Sequence, residues 1–196
     1  MLLEAASQLG PRNSLRPDTY MTLFGLIVAT GLRISEALGL RLGDVTGAGL
    51  VIRETKFRKS RLVPLHPTTR QALGTYLRAR AKYAVNDDSV FLSEWHTGLC
   101  YPTVIATFLA LVRCIGIHPG PGRPGPRIHD LRHTFAVRSL EQCKGNREAV
   151  ARHTLALSTY LGHAHIADTY WYFQATPKLL ADIAEQGEVL AERGRR

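Results

Sequence analysis

Cysteine is scarce in this sequence: the three cysteines, Cys100, Cys114 and Cys143, are odd in number and form no CxxC pair. We therefore expect neither a disulfide framework nor a structural zinc site, and the predicted compartment is a reducing cytoplasm. Long apolar runs are also missing, since the run from Leu23 to Thr30 is far shorter than the ~20 residues that cross a bilayer. The first residues include no basic segment, so we expect no secretory signal and no membrane partner.

Acidic residues are outnumbered by basic ones. The chain has 16 Asp plus Glu against 25 Lys plus Arg, which gives a formal net charge of +9 over 196 residues. Such an excess favours a polyanionic partner, because each cation that meets a phosphate releases a condensed counterion. A basic protein without a nucleic-acid partner can have the same composition, so charge alone leaves both interpretations open. The hydrophobic content of 45% is sufficient for one substantial core.

The apolar periodicity predicts a mainly helical α+β fold with a small antiparallel β-sheet near the N-terminal side. A first helix is predicted over residues 20–29, with Asp18 as its N-cap and Gly31 at its end. A second, short helix is predicted over residues 36–40, with Ser35 as its cap.

The predicted sheet is a β-hairpin. Its strands are residues 50–56 and 61–65, on either side of a polar turn, and Pro64 indicates that the second strand lies on an edge. The Gly- and Pro-rich residues 116–126 predict a loop. Further helices are predicted over residues 68–83, 102–115, 129–143, 147–161, 168–173 and, after a Thr-Pro start, 176–190.

Two stretches carry cations in settings that suit an anion. Arg33 lies in a turn between the first two predicted helices, where the backbone N–H groups at the start of a helix also attract negative charge. The hairpin turn carries Lys56, Arg58, Lys59 and Arg61. A charged hairpin tip is usually only solvated, but a lysine there can also enter a DNA groove and donate a proton to a leaving oxygen. The spacing alone does not decide between these alternatives.

The segment His129-Asp130-Leu131-Arg132-His133 places a histidine and an arginine three residues apart. On a helix these two side chains share a face, so His129 and Arg132 can converge on one point. Arginine holds a phosphate through a planar, permanently charged fork, while histidine exchanges a proton near neutral pH. An HxxR pair is common, so this segment indicates a site only in combination with others.

His163 follows Gly162 and precedes Tyr172 by nine residues. On one unbroken helix the two side chains would face opposite sides, but Gly162 and the cap-like Asp168 indicate an intervening turn, so both can face one site. Tyr170 lies two residues before Tyr172, and only one of these tyrosines can face that site.

In this order and combination, the segments resemble the tyrosine recombinase (phage integrase) family. The resemblance rests on the GLRxSE turn, a lysine on the following hairpin, HxLRH, LGH and a tyrosine nine residues later, and it spans residues 20–175. It implies the fold of the family's catalytic domain. It also implies the activity of a site-specific DNA recombinase or integrase of a mobile element, which cuts and rejoins DNA through a 3′-phosphotyrosyl intermediate.

The resemblance assigns roles residue by residue. Arg33 and Arg132 correspond to the clamp on the scissile phosphate, Lys56 to the general acid and Tyr172 to the nucleophile. Lys59 competes with Lys56, which we prefer because it falls at the end of the first predicted strand. The supporting residues are His129, His163 and Glu36, and the DNA-binding residues are Arg58, Lys59 and Arg61.

The resemblance also implies partners. The expected partner is a double-stranded DNA recombination site in the cytoplasm at the nucleoid. The chain is expected to bind it as a homotetramer and to be a monomer in free solution. No metal or other cofactor is expected, because arginine and lysine take the part that Mg²⁺ takes in other phosphoryl transfers.

Two features depart from the family. Arg132 and His163 are 31 residues apart, which is longer than the family's spacing, with the extra length around residues 144–157. Only about 17 residues precede the first predicted helix, so we expect no counterpart of the family's core-binding domain in these residues. The chain is thus predicted to be an excised catalytic domain or a minimal recombinase. Its predicted parts are a short N-terminal segment (1–17), the catalytic domain (18–175) and a C-terminal helix or tail (176–196), packed on its own domain or exchanged between protomers.

Three alternatives belong to other classes. A catalytically silent integrase-like module would bind DNA without cutting it, and the complete set of six polar catalytic positions argues against it. A type IB topoisomerase uses a similar site but relaxes supercoils as a monomer. A metal-dependent nuclease would need a carboxylate cluster with metal-binding spacing, which the sequence does not show.

Overall fold

The computed structural model describes residues 1–11, 13–53, 60–83, 86–117, 119, 124–143, 147–163, 165, 168–169 and 172. The chain divides into two compact units, Met1–Arg132 and His133–Arg196. The helices of the described residues are α1 (Leu2–Ser7), α2 (Arg16–Thr30), α3 (Ile34–Leu38), α4 (Pro67–Arg80), α5 (Tyr101–Cys114), α6 (His129–Glu141) and α7 (Arg147–Leu161). A 3₁₀ turn, Leu42–Asp44, and two strands, β1 (Leu50–Ile52) and β2 (Arg61–Val63), lie between α3 and α4. None of these helices combines the length and the apolar character needed to cross a bilayer.

The core of the first unit is built on α2. Leu23, Phe24 and Ile27 of this helix are at most 1% exposed, and α1 and α4 pack against it. The ring of Phe24 meets Phe108 of α5 nearly edge-on, with 5.7 Å between centroids. Large apolar side chains of this kind provide most of the free energy of burial, so α2 is a fixed support for the turn that follows it.

A buried tyrosine ties the segment after α4 to the helices. The Tyr76 hydroxyl donates to the Val90 carbonyl oxygen (3.1 Å) and accepts from the Thr19 hydroxyl and the Leu92 N–H (both 3.2 Å). The ring stacks on Phe91 at 5.5 Å between centroids. The phenol is therefore buried with its hydrogen bonds made, as a polar group in a core must be.

The two strands form the predicted antiparallel hairpin, and a mainly helical α+β fold with a small sheet is confirmed. Leu50 pairs with Val63, and Ile52 pairs with Arg61. Both strands are shorter than predicted. β1 ends at Ile52, and β2 ends at Val63 because Pro64 has no N–H to continue the ladder. Residues 54–59, which include all but the last residue of the predicted turn 57–60, lie outside the described residues.

The second unit contains the C-terminal part of α6, all of α7 and Tyr172. Its buried cluster consists of Ala136, Leu140, Leu157, Leu161 and Tyr172. The apolar residues of the two helices recur at positions four apart, so each helix has one buried face.

Two predicted helix caps are wrong. α2 begins at Arg16, so Asp18 lies within its first turn and is not the N-cap. Pro17 is compatible with this start. The first N–H groups of a helix have no intrahelical acceptor, so the N–H that proline lacks is not needed there. α3 begins at Ile34, with Arg33 rather than Ser35 at the N-cap position. The physical reason is that Glu36 accepts a hydrogen bond from the Arg33 N–H (2.9 Å), which is the capping interaction of the third helical residue.

Helices α4 to α7 agree with the predictions to within three residues, and α7 has the predicted bounds. The predicted helix 176–190 and residues 170, 171 and 173 of the predicted helix 168–173 lie outside the described residues. One helix was not predicted: α1 lies inside the segment 1–17 and packs on α2 and α5. Six residues are too few to show a clear period, so this helix depends on tertiary packing. The described residues of the predicted loop 116–126 contain no helix or strand.

Candidate active site

The first part of the site is the turn from α2 to α3. Gly31 ends α2 in the left-handed conformation, with φ 64°, and its N–H bonds to the Ile27 carbonyl oxygen at 2.8 Å. This conformation favours glycine, because a Cβ would approach the following carbonyl oxygen. The chain then turns, and Arg33, two residues later, starts α3 with its side chain 31% exposed. The helix ends therefore place Arg33 at a fixed position near the surface.

Glu36 binds Arg33 through both its backbone and its side chain. The Arg33 N–H donates to Oε2 and the Arg33 Nη1 donates to Oε1, both at 2.9 Å. The same carboxylate accepts two hydrogen bonds from Arg61, at 2.9 Å from Nη1 to Oε1 and 2.8 Å from Nη2 to Oε2. Burial raises the pKa of Glu36, but the bonds from Arg61 and Arg33 outweigh that effect and hold the pKa below its ordinary value. The predicted supporting role of Glu36 beside Arg33 thus has a geometric basis, although its role in catalysis stays a prediction.

Arg132 is anchored to the same turn. It is 1% exposed, and its Nη1 donates to the Gly31 carbonyl oxygen at 2.6 Å. The two residues are 101 positions apart in the sequence. A buried guanidinium must have acceptors, and the end of α2 supplies one, because its last carbonyls have no intrahelical donor. Arg132 and Arg33 are therefore both held by the three-residue turn Gly31–Arg33.

His129 lies one helical turn before Arg132, at the start of α6, and is exposed. The start of α6 is fixed by Asp130, which accepts a hydrogen bond from the Arg127 N–H at 2.8 Å. Both residues lie on α6, with Arg132 buried and His129 exposed, and their convergence on one point stays a prediction.

A cleft of about 480 Å³ opens beside Arg33. Its charged lining residues are Arg33, Arg41, Arg53, Glu36 and Asp44. The lining carries both signs of charge, and its guanidinium groups are paired: Arg33 with Glu36, Arg53 with Asp44, and Arg41 with Asp88 outside the cleft. Over the described ranges, no group of three or more His, Cys, Asp and Glu side chains is placed to hold a metal ion.

The second unit brings His163 and Tyr172 together, as the predicted turn required. Gly162 has φ 66° and follows the last residue of α7, so the chain turns away from the helix before His163. The rings of His163 and Tyr172 stack, with 6.0 Å between centroids and 17° between planes. His163 Nδ1 lies 2.7 Å from the hydroxyl of Thr169, which is completely buried. Tyr172 itself is 3% exposed.

Sequence reasoning gave no role to His133, which also contacts Tyr172. Its ring meets the Tyr172 ring edge-on, with 5.3 Å between centroids and 62° between planes. The available signal was its position in the HxLRH segment, directly after Arg132 and four residues after His129. Tyr172 is therefore held between two histidine rings within its unit.

Four predicted site residues belong to the hairpin, and the structure describes one of them, Arg61. Lys56, Arg58 and Lys59 lie outside the described residues. Arg61 was predicted to bind DNA, and its side chain is 14% exposed and paired with Glu36. The general-acid role of Lys56 and the DNA-binding role of Arg58, Lys59 and Arg61 stay predictions.

Comparisons with known proteins place this geometry in a family. The model of the phage integrase family matches residues 2–178. A relative in Sinorhizobium fredii (strain NBRC 101917 / NGR234), named integrase/recombinase y4rB, is 41% identical over 195 residues, which cover 95% of this chain and 62% of the relative. The crystal structure of XerA recombinase is similar with a TM-score of 0.72 and 28% identity, over 95% of this chain and 61% of that one.

A shorter structure matches over most of its own length. The catalytic domain of bacteriophage HP1 integrase has a TM-score of 0.58 and 24% identity, and the match covers 94% of this chain and 88% of that domain. This likeness shows the fold. By contrast, this chain spans about three fifths of the length of y4rB and of XerA.

Proposed function

The chain belongs to the phage integrase family, and on that basis we propose that it is a tyrosine-type site-specific DNA recombinase that breaks and rejoins DNA. Its proposed substrate is a double-stranded DNA recombination site, on which it acts as a homotetramer. The proposal also covers the division into a short N-terminal segment (1–17), a catalytic domain (18–175) and a tail (176–196).

The observation that carries the proposal is the joint anchoring of Arg33 and Arg132 on the turn Gly31–Arg33. Arg33 is fixed by Glu36, and Arg132 is fixed by the Gly31 carbonyl oxygen. Two guanidinium groups held by one short turn can bind the two non-bridging oxygens of a single phosphate. Because each guanidinium is already oriented by a protein acceptor, the cost of reorganisation when charge develops on the phosphate is lowered.

The proposed reaction is a transesterification. The Tyr172 hydroxyl gives its proton to a histidine of the site, His163 or His129, and its oxygen attacks the scissile phosphorus. The bond from phosphorus to the 5′ oxygen breaks, and Lys56 protonates that leaving oxygen. Arg33 and Arg132 neutralise the non-bridging oxygens, with His129 and His163 in support. The 3′-phosphotyrosyl bond preserves the energy of the phosphodiester, so the 5′ hydroxyl of a second strand can reverse the step and complete an exchange.

Burial of the nucleophile adds a requirement. Tyr172 and Arg132 are only 3% and 1% exposed, so both side chains must become more accessible before they can contact a scissile phosphate. We place this change in the assembly of a tetramer on double-stranded DNA at the nucleoid. Cleavage would then be limited to chains that are part of a tetramer on DNA.

The test is covalent capture with a suicide substrate. A library of nicked duplexes with random sequence around the nick is incubated with the 196-residue chain, and covalent adducts are recovered from a denaturing gel and sequenced. We expect adducts at a defined sequence. A chain that binds duplexes but forms no adduct would be a silent DNA-binding module. A chain whose adducts lead to supercoil relaxation without strand exchange would be a topoisomerase.

Tyr172→Phe is the decisive variant. It should abolish the adduct and leave DNA affinity nearly unchanged, because only the nucleophilic oxygen is lost. Tyr170→Phe is the matched control and should retain adduct formation. Loss of the adduct in Tyr170→Phe, with retention in Tyr172→Phe, would assign the nucleophile to the other tyrosine.

A further inference from the structure

Arg61 binds Glu36, the residue that holds Arg33, through two hydrogen bonds. It lies in β2, opposite Ile52, where the register of the hairpin fixes its position. Its two terminal nitrogens bind the two oxygens of Glu36 at 2.9 and 2.8 Å, a paired geometry that only a guanidinium can make. The side chains of Arg61 and Glu36 are 14% and 7% exposed. Solvent screening of this pair is therefore weak, unlike that of a surface ion pair.

The hydrogen bonds to Glu36 link Arg61 to Arg33. Each carboxylate oxygen accepts one bond from Arg61 and one bond from Arg33. A carboxylate has about four lone-pair sites, so these four bonds occupy its capacity. The position of Glu36 is thus set from both sides, and any movement of the Arg61 fork displaces the acceptor that holds the Arg33 backbone and side chain.

The charges give Arg61 a second effect on Arg33. Arg33, Glu36 and Arg61 together carry two positive charges and one negative charge, which leaves a net charge of +1 for an anionic ligand. Without Arg61, Arg33 would be the only one of these groups left to neutralise the buried Glu36 carboxylate. Glu36 would then compete with the phosphate for the Arg33 guanidinium.

We infer that Arg61 is a positioning residue for Arg33, acting through Glu36 to hold that guanidinium in place and to keep its charge available for the scissile phosphate. The inference rests on the proposed function. It gives Arg61 a role different from the direct DNA contact that the sequence predicts, and the two roles have different experimental consequences.

The experiment compares Arg61→Met with Arg61→Lys and with the control Arg152→Met. The control removes a guanidinium from an exposed ion pair with Glu148. The single-turnover rate of adduct formation is measured at saturating concentration of a captured suicide duplex, and the DNA dissociation constant is measured as a function of salt. Thermal unfolding of each variant shows that the folded state is populated at the assay temperature.

We expect Arg61→Met to lower the saturated rate about 10- to 100-fold, as the loss of a group that orients a reactive group commonly does. Its DNA affinity and salt slope should match those of the control. Arg61→Lys should lie between wild type and Arg61→Met, because an ammonium keeps the charge and loses the paired geometry. A wild-type rate in Arg61→Met would overturn the inference. Weaker binding with a salt slope reduced by about one, at an unchanged rate, would instead assign Arg61 to a phosphate contact.

A double variant tests whether Arg61 acts through Glu36. Glu36→Gln with Arg61→Met removes the carboxylate together with its counterion. No buried charge is then left unpaired, so the double variant can fold even if Arg61→Met alone does not. The double variant should be no slower than the slower single variant. Additive losses would show that the two residues act independently and would contradict the inference.

A readout without catalysis separates this inference from the proposed function. ¹⁵N relaxation of the Arg33 side-chain Nε–H group reports its order, and this order should fall in Arg61→Met and stay unchanged in Arg152→Met. If the wild-type chain forms no adduct with any duplex, the proposed function fails. The relaxation data then decide the positioning role by themselves, since unchanged order of Arg33 in Arg61→Met would exclude it.

Discussion

At the scale of single residues, the geometry around Arg33 makes a lysine an inadequate replacement. The Arg33 Nη1 binds Glu36 while the group remains 31% exposed, so one guanidinium can serve both a carboxylate and a ligand. An ammonium is a compact point charge without a planar fork, and it cannot make both sets of contacts with the same geometry.

We therefore expect Arg33→Lys to lower the rate of adduct formation by roughly 100-fold or more, comparable to the loss of one preorganised donor to a transition state. The measurement is the single-turnover rate on a captured suicide duplex, with Arg152→Lys as the control for an arginine-to-lysine change elsewhere. Activity within a few-fold of wild type would remove Arg33 from the site.

The general acid is the second question at this scale, because Lys56 and Lys59 lie only three residues apart. Lys56→Ala should slow cleavage of ordinary DNA. A duplex with sulfur at the 5′ bridging position should restore the rate, since a thiolate leaves without protonation. Rescue of Lys59→Ala instead would move the role to Lys59. If sulfur rescued neither variant, His129 would be the next candidate.

At the scale of secondary-structure elements, the ends of helices position the candidate site. Gly31 and Gly162 both adopt positive φ, and each is followed closely by a site residue, Arg33 or His163. Glycines at these positions are visible in the sequence, so the turns and the approach of His163 to Tyr172 could be predicted.

Other features of the elements could not be read from the sequence. Asp18 was predicted as a cap because it follows a proline, but the preceding Leu15 takes that position. The pairing of Arg61 with Glu36 joins residues 25 positions apart, and the anchoring of Arg132 on Gly31 joins residues 101 apart. Local periodicity contains no information about such contacts, which depend on how the elements pack.

The end of α2 allows a prediction in which two similar substitutions have opposite effects. Gly31→Ala should destabilise the first unit by about 1–2 kcal/mol, because alanine is strained at positive φ. It should also slow adduct formation, since the Gly31 carbonyl oxygen holds Arg132. Gly25→Ala, in the interior of the same helix, should stabilise by up to about 1 kcal/mol through helix propensity.

Chemical denaturation of both variants provides the measurement. A Cβ at Gly25 would lie 3.8 Å from the Leu3 side chain, which is ordinary van der Waals contact, so no clash obscures the comparison. Equal stability changes of the same sign in the two variants would show that φ at Gly31 does not determine this helix end.

At the scale of the whole molecule, the candidate residues are divided between the two compact units. Arg33, Arg132 and His129 belong to the first unit, and His163 and Tyr172 belong to the second. The proposed phosphate clamp and the proposed nucleophile thus belong to different units. A recombinase benefits from such a division, because cleavage outside a complete complex would leave a broken strand.

The tail after Tyr172 is the segment in which the sequence predicts a link between assembly and the nucleophile. Residues 176–190 carry a Thr-Pro start and an apolar set, Leu179, Leu180, Ile183, Val189 and Leu190, although they lie outside the described residues. A short amphipathic helix has to bury its apolar face against its own domain or against a neighbouring protomer. Because Thr176 follows Tyr172 by only four residues, a change in where this helix docks must also act on the tyrosine.

Deletion of residues 177–196 tests the two docking alternatives. If the helix docks on a neighbouring protomer, the truncated chain should fold and bind a single DNA site, while its higher-order complexes on DNA are weakened. Analytical ultracentrifugation of full-length and truncated chains with bound duplex measures the complexes, and thermal unfolding reports the fold. Leu180→Glu with Ile183→Glu, which changes the apolar face without shortening the chain, should reproduce the deletion. An unfolded truncated chain would show that the helix belongs to its own core, and unchanged complexes would show that the tail takes no part in assembly.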